Sequence, residues 1–489
     1  MFEIAQLSEK ISKADYKAQL PELRYQLLQA QNRLRQARVP MLIIIEGLDN
    51  ASRGEMVNLL NEWLDARGLN VIAFGEKTDE ELQRPRFWRY WRELPPAGTI
   101  GIMAGSWYTG NLIGRVMGEV DRHAFDHHLR RISNLERMLA LDGTLILKIW
   151  LHTSEKAQAK RFKALSKEHL RWGVSRLDKK LHKRYDKALL AAERAIRLTD
   201  TALAPWHIIN NDAPRARNLR IARLILSAIE SRTEMQDNTP SLPVVEIPPT
   251  RQRSVLETVD LSQSLERDEY KRRLSALQAR LTDLSWEAYH RKISTVCVFE
   301  GWDAAGKGGA IRRLLHAIDA RISRVIQIAA PTDEEKAHHY LWRFWRHLPR
   351  AGRTIIYDRS WYGRVLVERV EGFARPDEWR RAYFEINDFE EQLVEDGIVL
   401  AKFWLHIDPD EQLRRFKARE ETPYKRYKIT DEDWRNREKW PEYELAVNEM
   451  VERTSTEFAP WHLIPANDKP FARVKVVETV VKALEKALS

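Results

Sequence analysis

TVCVFEGWDAAGKGG, residues 295–309, opens as an apolar run rich in β-branched residues and closes in a glycine-rich turn. Its first half, Thr295–Glu300, reads as a buried strand, and the pattern through Ile311–Ile318 reads as a helix. Between strand and helix, Gly301, Ala304, Ala305, Gly306, Lys307, Gly308 and Gly309 form a candidate phosphate-binding loop. Glycines there let backbone N–H groups turn inward, and the helix N-terminus adds positive potential. Lys307 reaches terminal phosphates as a point charge. Gly308 stands where such loops usually carry the Ser or Thr that touches Mg²⁺.

The same stretch has a counterpart upstream. Glu46-Gly47-Leu48-Asp49 returns as Glu300-Gly301-Trp302-Asp303, and the offset persists. Ser106-Trp107-Tyr108 returns as Ser360-Trp361-Tyr362, and Lys148-Ile149-Trp150-Leu151-His152 as Lys402-Phe403-Trp404-Leu405-His406. After one inserted residue, Ala204-Pro205-Trp206-His207 matches Ala459-Pro460-Trp461-His462. A period this long means two whole domains, expected at 1–230 and 261–489. The stretch 231–260, with Pro240, Pro243, Pro248 and Pro249, reads as an extended linker. Each copy alternates strand and helix patterns. In the second copy these are a helix over about 264–290 and strands at Arg324–Ala329, Thr354–Asp358, Val399–His406 and His462–Ile464. The fold class is therefore α/β: two tandem P-loop kinase-like domains, each a mainly parallel sheet with helices on both faces and a helical lid.

Composition narrows the function. The chain has 489 residues, 43% hydrophobic and 31% charged, which suits soluble globular domains and excludes collagen-like or disordered classes. Its net charge of +10 favours an acidic partner such as a nucleotide or phosphate polymer. Cys297 is the only cysteine, so no internal disulfide forms and a cytoplasmic location is expected. The start, MFEIAQLSEK, lacks the basic and apolar segments of a signal peptide, and no nucleic-acid motif or membrane span is expected.

The strand Thr354–Asp358 ends in a carboxylate, and strand C-termini face the ligand crevice in doubly wound sheets. Asp358 and Asp303 are thus the candidate Mg²⁺ ligands, and Arg359 the cation for a transferring phosphoryl group. Downstream, Arg414, Arg415, Lys417, Arg419, Lys425, Arg426 and Lys428 outnumber three acids, which reads as a basic lid over phosphates. The five tryptophan pairs of the repeat (Trp88 and Trp342, Trp91 and Trp345, Trp107 and Trp361, Trp150 and Trp404, Trp206 and Trp461) read as packing, and His406 and His462 as structural strand-end histidines.

Together, EGWDAAGKGG at 300–309, LWRFWRHLPRAG at 341–352, IIYDRSWYGR at 355–364, FEEQLVEDGIVLAKFWLHI at 389–407 and APWHLI at 459–464 resemble the polyphosphate kinase type-2 family. The resemblance spans nearly the whole chain, twice. It implies a thymidylate-kinase-like fold, inorganic polyphosphate as donor and, for the two-domain form, AMP as acceptor, giving ADP. It also implies Mg²⁺ dependence and a homo-oligomer, with Asp303, Lys307, Asp358 and Arg359 as catalytic residues. The lid carries over as Arg415, Arg419, Lys425, Arg426 and Lys428. ADP or GDP as acceptor and an ATP-dependent nucleoside monophosphate kinase are the enzymatic alternatives. A polyanion-binding protein with a vestigial kinase fold is the non-enzymatic one.

The first copy departs from this pattern. Gly306, Lys307 and Gly309 correspond to Ser52, Arg53 and Glu55, while Asp358 and Arg359 correspond to Ala104 and Gly105. Asp49 remains, opposite Asp303. A carboxylate at Glu55 repels phosphate and Ala104 cannot hold a metal, so this copy is expected to be catalytically silent. A structural role is expected for it, ahead of guiding polymer across Lys160, Arg161, Lys163, Lys167 and Arg171.

Overall fold

Strands covered on both faces need no polar alternation, and the apolar runs of this chain fold accordingly. The computed structural model describes residues 1–2, 11–167, 175–234, 254–423, 429 and 431–489. In the first copy, helix α1 (Lys13–Gln36) leads into β1 (Met41–Gly47), α2 (Asn50–Trp63), β2 (Leu69–Ala73) and β3 (Ile100–Ala104). Then come α3 (Arg122–Leu141), β4 (Leu145–His152), α4 (Glu155–Lys167), β5 (Trp206–Asn210) and α5 (Pro214–Glu234). The second copy repeats this as α6 (Arg267–His290), β6 (Thr295–Gly301), α7 (Lys307–Leu315), β7 (Ser323–Gln327) and β8 (Thr354–Asp358). It continues through α8 (Pro376–Glu395), β9 (Val399–His406), α9 (Pro409–Glu421), α10 (Asp431–Glu438), α11 (Trp440–Thr454), β10 (Trp461–Pro465) and α12 (Lys469–Leu488).

Both sheets are parallel and share one topology. The first runs β2-β3-β1-β4-β5 and the second β7-β8-β6-β9-β10. The α/β reading and the parallel sheets are thus as the sequence indicates; β8 and β9 have the expected ends, and the ends of β6, β7 and β10 are displaced by one or two residues. The central strands β1 and β6 are buried along nearly their whole length. Residues 231–234 finish α5 and 256–258 form a short 3₁₀ turn; of the expected linker, 235–253 lies outside the described residues. Compact unit 1 comprises Met1–Lys77, Arg89–Pro240 and Asp333–His339; unit 2 comprises Thr78–Trp88, Ser241–Thr332 and Tyr340–Ser489. Among the described residues no helix is long and apolar enough to cross a membrane.

A buried ionic knot recurs in each unit and explains several repeated residues. Lys402 of β9 donates to Glu390 of α8 at 2.7 Å, to Tyr362 Oη at 2.9 Å and to the Thr454 carbonyl at 2.7 Å. Trp361 Nε1 donates to the other Glu390 oxygen at 3.0 Å. In unit 1, Lys148, Glu136, Thr199 and Trp107 make the same bonds at 2.7, 2.6 and 3.0 Å. Burial pushes Glu390 up and Lys402 down, and the two hold each other charged. An ion pair this deep breaks even only when every remaining donor and acceptor is satisfied, as here. The knot pins Trp361 and Tyr362, and so fixes the turn that carries Arg359 and Ser360. All ten paired tryptophans are buried, which is the packing role expected of them.

Candidate active site

The carboxyl ends of β6 and β8 form the crevice where chain connections leave on opposite sides of the sheet, the usual ligand position in such folds. Phe299 of β6 stands in register with Asp358 of β8, and the Arg359 N–H donates to the Phe299 carbonyl at 3.1 Å. Asp358 therefore ends its strand beside the start of the glycine-rich turn. That turn needs its glycines. A Cβ on Gly301, whose φ is +149°, would meet the Leu405 carbonyl oxygen at 2.6 Å. Gly306 opens α7 at φ 111°. Ala304 and Arg359 hold φ of 63° and 64°, an unfavourable region for residues with a Cβ. Strain of this kind concentrates at functional sites.

Asp303, Lys307 and Arg359 line one cavity of about 80 Å³, together with Glu300, Asn436 and Tyr443. Asp303 accepts a hydrogen bond from Asn436 Nδ2 at 3.0 Å, and Arg359 stands 3.5 Å from its other oxygen. Lys307 Nζ donates to the carbonyls of Gly301 and Trp302, at 2.6 and 3.3 Å. Burial works against the charge of Arg359, but Asp303, Glu300, Glu432 and Asp358 outweigh it and raise its pKa. Burial also raises Glu300, opposed by the Ser360 hydroxyl, which donates at 2.8 Å, and by Lys307 and Arg359. Trp302 stacks on Trp440, ring centres 3.6 Å apart at 11°, and donates to His406 Nδ1 at 3.0 Å. Burial pushes His406 down to about 4, so it stays a neutral acceptor.

Of the sequence-predicted residues, Gly301, Asp303, Lys307 and Arg359 meet at this cavity, while Asp358 adjoins the loop without lining the cavity. Arg415 takes a different post from a lid residue. It is buried, with its guanidinium donating to the carbonyls of Ala304, Ala305, Ala466 and Asn467 at 2.6–2.9 Å. It clamps the loop from beneath. Arg419 lies on α9, whereas Lys425, Arg426 and Lys428 lie outside the described residues. Asn436, Tyr443 and Trp440 come from α10 and α11 and carry no motif; Glu300 and Ser360 were signalled by recurring as Glu46 and Ser106.

The donor set suits a hard cation. Among the described residues no group of three or more His, Cys, Asp or Glu forms a metal cage. Asp303 at the cavity and Asp358 beside the loop offer the oxygen donors that hard divalent cations take.

Unit 1 fills the equivalent place with its own charges. Arg53 pairs with Glu46 at 3.2 Å, and Asp49 caps α2 through the Ser52 N–H and hydroxyl, at 3.2 and 2.7 Å. Glu55 pairs with Arg161 and stands 3.7 Å from Arg217. Of the expected polymer track, Arg171 lies outside the described residues.

The model of the family Polyphosphate kinase 2 matches residues 10–237 and 264–489. A polyphosphate:AMP phosphotransferase of Pseudomonas aeruginosa is 49% identical over 491 residues, covering 100% of this chain and 99% of that one. One of Acinetobacter johnsonii is 39% identical, covering 91% of each. A solved Pseudomonas aeruginosa structure superposes with a TM-score of 0.89 at 48% identity, covering 100% of this chain and 99% of that one.

Proposed function

We propose that this chain, which belongs to the polyphosphate kinase 2 family, is a phosphotransferase that moves the terminal phosphoryl group of inorganic polyphosphate onto AMP. An AMP phosphate oxygen attacks the terminal phosphorus, the bridging P–O bond of the donor breaks, and ADP and a chain one phosphate shorter leave. Such transfers rest on positioning and electrostatics, so no nucleophilic side chain is needed. Lys307 exchanges its bonds to the loop carbonyls for the donor's terminal phosphate, and loop N–H groups cradle the same oxygens. Arg359 neutralises charge on the equatorial oxygens. Asp303 and Asp358 are the residues that would hold Mg²⁺, which supplies charge neutralisation when bound. Asn436 keeps Asp303 oriented. Unit 1 is silent, and the enzyme works in the cytoplasm.

What carries the reading is one juxtaposition: a lysine, an arginine and a carboxylate around a single cavity at the mouth of a parallel sheet, in a chain alike over its full length to polyphosphate:AMP phosphotransferases. The test is turnover by the purified chain with Mg²⁺, AMP or ADP as acceptor and polyphosphate or ATP as donor. ADP made from AMP and polyphosphate is the expected result; product with ATP alone overturns the donor.

A further inference from the structure

A second, rear cavity of about 230 Å³ also borders the loop, at Ala304, Ala305, Gly306 and Gly309, and shares none of the residues that line the first. Its walls carry Arg414, Arg415 and Arg419 from α9 and Lys469 and Arg473 from α12, with no carboxylate in the lining. Arg414 and Arg415 share Glu411. Lys469 and Arg473 have no ion-pair partner among the described residues. Burial, then Arg415, with Arg414 and Arg473 adding to it, pushes the Lys469 ammonium down to about 8 despite Glu411. Lys469 and Arg473 thus stand in a cluster of cations whose carboxylate, Glu411, is shared between Arg414 and Arg415, and an incoming anion would lower the energy of the cluster.

Unit 1 supplies the control. Gly309 on α7 corresponds to Glu55 on α2, and a Cβ built on Gly309 would lie 3.4 Å from the Arg473 guanidinium. Where unit 2 leaves that direction open, unit 1 sends in a carboxylate, which pairs with Arg161 and Arg217. Lys469 and Arg473 have no cationic counterparts there: Pro214 and Asn218 take their places. At this position unit 1 supplies its own anion between Arg161 and Arg217, whereas unit 2 has a cavity lined by cations.

We propose that this rear cavity holds the inner phosphates of the donor chain, behind the one transferred, and that Lys469 and Arg473 of α12 set how strongly the enzyme prefers a long polyphosphate to a short one. This rests on the proposed donor. It adds to the loop and α9 a helix that no loop or lid motif marks. Donor and acceptor then approach the loop from opposite sides, the polymer past α9 and α12 and the nucleotide past α10 and α11.

The test is steady-state kinetics of the full chain at saturating AMP, with long-chain polyphosphate and tripolyphosphate as alternative donors. Lys469→Ala and Arg473→Ala are each expected to raise the KM for long-chain donor roughly tenfold or more, the worth of one charge-assisted contact. The KM for AMP and the KM for tripolyphosphate should move far less. Gly309→Glu, which copies the side chain that unit 1 already accommodates, should raise the long-chain KM most. An unchanged long-chain KM, or an equal rise for tripolyphosphate, overturns the proposal. Amine acylation of the wild-type chain, read by mass spectrometry at Lys469, decides the matter should a variant misfold. Polyphosphate should protect Lys469 and AMP should not; labelling unaffected by polyphosphate overturns the proposal. Absence of ADP from the wild-type chain would instead count against the donor assignment, while the labelling still reports whether polymer seats in the cavity.

Discussion

In unit 1, Arg53 turns back onto Glu46, Asp49 is spent capping its helix, and Glu55 lies between two arginines. In unit 2, Lys307 bonds only loop carbonyls, Asp303 faces a cavity, and Gly309 leaves two cations unanswered. The sheets beneath are alike in strand order, and the Glu–Lys–Trp knot is the same in both. A scaffold of this kind keeps its shape whether its polar loop binds an outside anion or satisfies itself. Loss of the site costs little when each vacated charge finds a partner within the chain.

The comparison makes its largest claim about what is shared. Lys402→Ala and Lys148→Ala each strand a buried carboxylate, so each should destabilise its unit by about 3–5 kcal/mol. Chemical denaturation of the full chain measures both, and a large effect in only one unit would break the equivalence of the scaffolds. Next comes what differs. Lys307→Ala or Asp358→Asn should lower turnover by about 10²–10³-fold with the fold intact, whereas Arg53→Ala should leave it within about twofold. Comparable losses from Arg53→Ala would mean that unit 1 is not silent. The smallest effect sharpens the picture at the loop's edge. His406 titrates at about 4 when folded, because burial disfavours the cation, against about 6.5 in an unfolded chain. The unfolded state therefore binds the extra proton first, and stability is lost as pH falls below about 6.5, by up to about 3 kcal/mol near pH 4. His406→Gln should flatten that part of the stability curve relative to wild type.

Much of the scaffold was legible because it rests on short-range signals. The run TVCVFEG declares its strand by β-branching and full burial, and the repeat carries each assignment to the other copy. The position of the loop after its strand and of Asp358 at the end of β8 was legible because backbone chemistry forces their spacing, but that Asp303 and not Asp358 lines the cavity was not. Arg415 shows where sequence falls short: in a basic run, a guanidinium that clamps four buried carbonyls looks the same as one facing water. Asn436 and Tyr443 were out of reach for another reason. They come to Asp303 from more than a hundred residues downstream, through tertiary packing that no local pattern encodes. Lys469 and Arg473 likewise read as ordinary helix residues until α12 is set beside α9.

The Trp302–Trp440 stack joins the phosphate loop to the first residue of α11, and Leu48 stands at the equivalent loop position in unit 1. Two indoles in van der Waals contact and nearly parallel couple their electronic transitions. Movement of the loop away from α11 would therefore change the near-ultraviolet circular dichroism, and the difference spectrum against Trp440→Leu separates this pair from the other tryptophans of the chain.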